Sequence, residues 1–181
     1  MASNTHEVTL GGVHYTWDGN SWFETKSFLR PPTGIVSKLN ALVRDSLASE
    51  DTTITDANLL MDRARQARES QQFERAVALL RRVLVIRPDS ESALAILCSV
   101  LRAQGLPDRA LAETDLFDHS NYPPLITSRA AAMCDLARWE QAKKLIGRVL
   151  AMPGDHGEAF SVVHRIKGAR PDLYPPKDQG N

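Results

Sequence analysis

The chain reads as a mainly α protein. Three antiparallel helical hairpins stack in a solenoid with capping helices, after a small N-terminal three-stranded antiparallel β meander. Three observations predict this. From Ile35 to Ile166 apolar residues recur at steps of three and four, the period of helices with one buried stripe. Ala76 has counterparts at Ala110 and Ala142, at intervals of 34 (110 − 76) and 32 (142 − 110) residues, so one hairpin plan repeats. The segment before Ile35 instead alternates with the period of two of half-buried strands.

Residues 1–6 are expected to lack structure, and the strands to follow at Glu7–Leu10, Val13–Trp17 and Trp22–Lys26. Val13, Tyr15 and Trp17 alternate with His14 and Thr16. Gly11-Gly12 suits a two-residue hairpin turn, and Asp18-Gly19-Asn20 tolerates positive φ. A sheet this small is marginal alone. Its aromatic residues Tyr15, Trp17, Trp22 and Phe23 therefore need cover, either from a helix of the same chain or as a self-association surface. Pro31-Pro32-Thr33-Gly34 breaks the chain and ends a first segment, 1–34.

A helical domain is expected over 35–168, with repeats at 57–90, 91–122 and 123–154 and capping helices at 35–48 and 157–167. The first capping helix carries Ile35, Val36, Leu39, Leu42, Val43 and Leu47 on one face, and a polar connector, Ser49–Thr55, follows it. Packed on the first repeat, it would cover the apolar end of the stack. In the first hairpin one stripe is Ala57, Leu60, Met61, Ala64 and Ala67, and the other is Phe73, Ala76, Val77, Leu80, Val83 and Leu84. The break falls near Ser70–Gln72. Asp56 is the expected N-cap, and Pro88 the stop. In the second unit the first helix, Ser92–Ala103, is strongly apolar, the unit continues to about Phe117, and a longer loop, Asp118–Pro124, ends it. The last helix, Gly157–Lys167, turns Ala159, Phe160, Val163 and Ile166 inward and His164 and Arg165 outward. The tail, 169–181, is expected to be irregular.

Each unit has a small residue in its first helix (Ala64, Cys98, Ala130), a bulky or turn residue three before the alanine (Phe73, Pro107, Trp139), and a proline at or near its end (Pro88, Pro123, Pro153). In these features, from Ala57 to Gly154, the chain resembles the tetratricopeptide-repeat family. It departs at Pro107, where an aromatic is usual, at the ending Asn121-Tyr122-Pro123-Pro124, and at Ala137, where a turn glycine is usual.

The resemblance implies that the solenoid is right-handed, and that the protein is a non-catalytic interaction scaffold or chaperone-like adaptor that binds a peptide or helix in a concave groove lined by first helices. Carried over by repeat, the groove positions are Asn58, Met61, Arg65, Arg68 and Glu69, then Ala95, Ser99, Arg102 and Ala103, then Thr127, Ala131, Cys134 and Asp135. Arg65, Arg68 and Arg102 are either a cationic rim that reads carboxylates or a solvated face balanced by Asp62 and Glu69. Family members that clamp a C-terminal carboxylate use lysine and asparagine on these helices. Met61, Arg65, Ile96 and Ser128 stand here instead, so chaperone tails of that type are not the expected ligand. The alternative is a self-assembling protein that forms a homodimer through the meander or groove. A WW-module reading fails, because Trp17 and Trp22 are five apart across a turn.

Composition agrees with a protein-binding role. With 22 basic and 22 acidic residues the formal net charge is zero, unlike a general nucleic-acid binder. No apolar run approaches the length of a membrane span, and MASNTHEVTLGG lacks the basic start and apolar core of a signal peptide. Cys98 and Cys134 are expected as buried, reduced thiols of a cytoplasmic protein. There is no phosphate-cradling glycine loop, HExxH, GxSxG or CxxC, and His6, His14, His119, His156 and His164 are scattered. No catalytic residue, cofactor or metal is therefore expected. The expected partner is another protein or peptide, acidic in character, with no nucleic acid and no membrane.

Overall fold

The computed structural model describes residues 6–17 and 21–174. Contacts divide the chain into two compact units, Met1–Ile54 and Thr55–Asn181. Expectations for residues 1–5, for the Asp18-Gly19-Asn20 turn, for the side chain of Leu47 and for the tail beyond Tyr174 lie outside the described residues.

The first unit contains β1 (His6–Leu10), β2 (Val13–Trp17), β3 (Trp22–Glu24) and α1 (Thr33–Thr53). The strands form one antiparallel sheet in the order β1-β2-β3. Leu10 pairs with Val13 across Gly11 (φ 60°) and Gly12 (φ 79°), the two positive-φ positions of a tight hairpin turn. Trp17 pairs with Trp22, their rings 5.7 Å apart. Trp22 is buried, and its indole N–H donates to Asn40 Oδ1 of α1 at 2.7 Å, so the polar edge of the ring is satisfied.

Two expectations are corrected here. β3 stops at Glu24, short of Lys26, because the chain turns back: Phe28 N–H donates to the Glu24 carbonyl (2.8 Å) and Glu24 N–H to the Leu29 carbonyl (2.9 Å). The helix α1 runs to Thr53, through most of the expected polar connector, since Ser49–Thr53 contains neither proline nor glycine to stop it. Of its stripe, Leu39 is fully buried, whereas Leu42 is exposed.

In the second unit α2 (Ala57–Glu69) and α3 (Phe73–Ile86) form the first hairpin, α4 (Glu91–Ala103) and α5 (Pro107–Glu113) the second, and α6 (Pro123–Asp135) and α7 (Trp139–Leu150) the third; α8 (Gly157–Ala169) follows. The Asp56 carboxylate accepts the N–H groups of Asn58 (2.7 Å) and Leu59 (3.2 Å), the expected cap. Ala57, Leu60, Met61, Ala64 and Ala67 are the buried face of α2, as the spacing predicts. First helices lie side by side, α2 against α4, α4 against α6 and α6 against α8. Ala64, Ala76, Ala93, Ala110, Ala130, Ala142 and Ala159 have no exposed surface, which marks where helices approach too closely for a larger side chain.

The second hairpin departs from the plan for physical reasons. Pro107 opens α5, where a missing N–H costs nothing, and Pro123 opens α6 in the same way. The helix α5 ends at Glu113. Buried Thr114 then donates its hydroxyl to the Ala110 carbonyl (2.9 Å), and a single 3-10 turn, Asp115–Phe117, leads into the loop. Two arginines from the third hairpin hold that loop. Buried Arg129 donates to the Thr114 carbonyl and to the Asp118 carboxylate (2.9 Å). Arg148 donates to the carbonyls of Asp118 (3.0 Å) and Ser120 (2.8 Å).

The C-terminal end brings one more correction. In α8 the buried residues are Ala159, Val162, Val163 and Ile166, while Phe160 is exposed. After α8 the described chain continues to Tyr174. It makes a 3-10 turn, Pro171–Leu173, and places the Tyr174 ring under the ammonium groups of Lys143 (4.9 Å) and Lys167 (5.2 Å).

The turns inside the hairpins repeat in backbone conformation even where the sequence does not. Gln71 (φ 57°), Gly105 (φ 75°) and Ala137 (φ 56°) all take the left-handed region, at intervals of 34 (105 − 71) and 32 (137 − 105) residues. A Cβ in that region is disfavoured by about 1–2 kcal/mol, partly offset by the greater freedom of glycine when unfolded. Ala137→Gly is expected to stabilise the protein by roughly 0.5–1 kcal/mol, about 1–4 °C in thermal midpoint. A lower midpoint would show that Ala137 carries no strain.

Candidate functional site

The expected groove positions separate into two clefts. Asn58, Met61 and Arg65 line a small one of about 140 Å³ with Asp62, Arg87, Ser90 and Ser92. Its cations are engaged: Arg65 pairs with Asp62 (2.9 Å) and Arg87 donates to Asn58 Oδ1 (2.9 Å). Ser99, Arg102, Thr127 and Ala131 line a larger one of about 300 Å³, completed by Ser128 of α6 and by Glu158, Ser161, Val162 and Arg165 of α8. Arg68 and Ala95 line neither cleft. Ala95 is core, packed with Leu94 and Leu125. Cys134 is also core, in the cluster of the third hairpin and α8.

Helix geometry explains the larger cleft. The first helices α4, α6 and α8 run parallel, so their last turns gather at one end. There Asp135, the final residue of α6, accepts Arg102 Nε at Oδ2 and Arg165 at Oδ1, each at 2.6 Å. Burial raises the pKa of Asp135, but the hydrogen bonds and charges of both arginines outweigh it and hold the carboxyl below its ordinary value. It is therefore ionised throughout the neutral range. Two guanidinium groups on one carboxylate leave one surplus positive charge, placed near helix C-termini that favour it. The cationic pair of this cleft is Arg102 with Arg165; Arg65 belongs to the other cleft.

Neither a protein-family model nor a curated protein sequence matches the chain. Solved structures do. The Sgt2 tetratricopeptide-repeat domain from Aspergillus fumigatus aligns with 71% of this chain and 90% of its own, at 18% identity and a TM-score of 0.55. The first such domain of human RPAP3 aligns with 64% of this chain and 93% of its own, at 20% identity and a TM-score of 0.58. The helical unit has the tetratricopeptide-repeat fold. A further structure with this fold is the first domain of Spaghetti (RPAP3), bound to the HSP90 peptide SRMEEVD. It matches at 21% identity and a TM-score of 0.56, over 62% of this chain and 91% of its own.

The helix α8 lines this cleft beside the first helices α4 and α6. Arg165 is exposed, as the sequence predicts, but its place in the cleft with Glu158 and Ser161 was not foreseen. A signal was available: 158, 161 and 165 are steps of three and four on the stripe that 159, 162, 163 and 166 leave free.

The chemistry on offer is polar recognition. Among the described residues no group of three or more His, Cys, Asp or Glu is placed to hold a metal ion, and no helix is long and apolar enough to cross a membrane. Both cysteines are free and buried. Burial, partly countered by Arg102 and Arg129, pushes the Cys98 thiol from 9.0 up to about 12, and burial raises Cys134 as well. Three pKa units mean roughly a thousandfold less thiolate at neutral pH. Both cysteines are expected to resist iodoacetamide in the native protein and to react promptly in urea. Rapid native labelling of either would show that the core opens locally.

Proposed function

We propose that the helical unit is a non-catalytic protein-interaction module that receives an extended segment of a partner in the cleft of α4, α6 and α8. The observation that carries this reading is the arginine pair fixed by Asp135 in a cleft otherwise lined by hydroxyls, small apolar side chains and one carboxylate, Glu158. Pre-set guanidinium donors lose little freedom on meeting an acidic group, so they give affinity and orientation at once. The Spaghetti domain with its HSP90 peptide supports a peptide as the class of ligand. The anchoring residues proposed here are different: Arg102 and Arg165, with Met61, Arg65, Ile96 and Ser128 where a lysine and asparagine clamp would stand.

The test is selection of a random 12-residue display library on the full-length protein and on Ser161→Trp. That exposed wall position fills the cleft without entering the core, and circular dichroism checks that the fold is kept. Peptides enriched on the native protein and lost on Ser161→Trp support the reading. Equal enrichment on both places the site elsewhere, and no enrichment removes it.

A second reading, self-association through the meander, draws on Phe28 and Leu29. They are 75% and 67% exposed, and Phe28, at φ 58°, stacks on Phe23 with ring centroids 5.8 Å apart. A left-handed bulky residue presented to solvent is an unusual arrangement and fits an interface. Concentration-independent monomer mass in sedimentation would remove this reading.

A further inference from the structure

We infer that the α4–α6–α8 cleft reads two opposite charges three residues apart on a polyproline-like segment of its partner: an acidic residue against Arg102 and Arg165, and a basic residue against Glu158. The inference rests on the reading of this cleft as a peptide site and adds the ligand's charge pattern and conformation.

The cleft is electrically polar along its length. At one end Arg102 uses Nε and Arg165 one terminal N–H group on Asp135. Each guanidinium carries five N–H donors, so most of this fork remains available to a ligand. Among the described residues neither arginine has another protein partner. At the other end Glu158, the second residue of α8, lines the cleft and is exposed, with no ion pair among the described residues. Thr127, Ser128 and Ser161 lie along the wall and offer hydroxyls that donate or accept.

Helix geometry sets the spacing. Glu158 and Arg165 are seven residues apart on one helix (165 − 158), two turns, so they share a stripe and stand about 10 Å apart along it. A ligand must present its two charges to one wall at that separation. In a β-strand, residues i and i+3 point to opposite faces. In a polyproline II segment, three residues complete a turn at about 3.1 Å each, so i and i+3 point the same way about 9 Å apart. An α-helical ligand would need i and i+7. That helix packs eight residues into the length that four residues of polyproline span, about twice the bulk. The polyproline-like segment meets the spacing with about half the bulk.

The experiment is fluorescence anisotropy at low salt with labelled peptides PPEPPKPP and PPKPPEPP, the same-composition control PPEKPPPP, and PPEPPEPP. The full-length protein is compared with Glu158→Lys and Arg165→Glu, each checked by circular dichroism. One of the two spaced peptides is expected to bind the native protein at least tenfold more tightly than the adjacent-charge control. Glu158→Lys should move the preference to PPEPPEPP, and Arg165→Glu should abolish the acidic requirement. Equal binding of spaced and adjacent charges, or no change of preference in Glu158→Lys, overturns the inference. If these peptides fail while library peptides still select the cleft, the charge pattern is wrong and the peptide site stands. If the library also yields nothing, the site itself is lost.

Discussion

Arg129→Met is expected to lower the unfolding free energy by roughly 2–4 kcal/mol and to free the loop between Thr114 and Ser120. Arg129 is 4% exposed and lies on α6, yet its hydrogen bonds go to the Thr114 carbonyl and the Asp118 carboxylate, in a segment that no regular helix supports. Methionine keeps the stem's volume and removes every donor. Thr114 is fully buried, so its carbonyl would lose the arginine partner far from water, while Asp118 would simply return to solvent. Lysine should rescue little, since one ammonium replaces a planar fork that spans two acceptors. Urea unfolding gives the stability, and hydrogen exchange at Phe117 and Ser120, whose N–H groups bond within this loop, gives the local effect. An unchanged midpoint with unchanged exchange would show that Arg148 alone holds the loop.

Ile146→Ala is expected to cost about 2–5 kcal/mol, through lost transfer energy and the cavity left behind. Ile146 has no exposed surface and belongs to the cluster of Ile126, Ala142, Val149, Val163 and Ile166 that joins α6, α7 and α8. That cluster also fixes the wall of the larger cleft, so peptide binding should weaken together with stability. Leu150→Ala, at a residue 39% exposed one turn further on, serves as the contrast and should cost far less. Equal losses in the two variants would mean that α7 packs differently.

The architecture was legible because helices write their packing into local spacing. Steps of three and four marked the buried face of α2 residue for residue, and Asp56 announced its cap. The intervals of 34 and 32 residues found from the alanines recur at the left-handed turn positions Gln71, Gly105 and Ala137, although only one is glycine. Local rules also had limits. Phe160 fits an inward helical stripe by hydropathy, but Val162 takes the buried place, because α8 packs with a rotation that spacing alone leaves free by one residue.

The long-range polar contacts were decided by tertiary structure alone. Arg102 meets Asp135 across 33 residues, and Arg165 meets the same carboxylate 30 residues further on (165 − 135). Arg129 reaches back 15 residues to Thr114. Such pairs depend on the relative rotation and axial offset of packed helices, which the core side chains set to within a fraction of a turn. A charged residue on a helix has the same spacing whether it faces solvent or a neighbour. The sequence alone therefore determined the repeat, the buried face of the first hairpin and most of the core. Only the packed structure decided that Arg65 and Arg102 serve separate clefts, and that the second arginine of the larger cleft comes from the last helix.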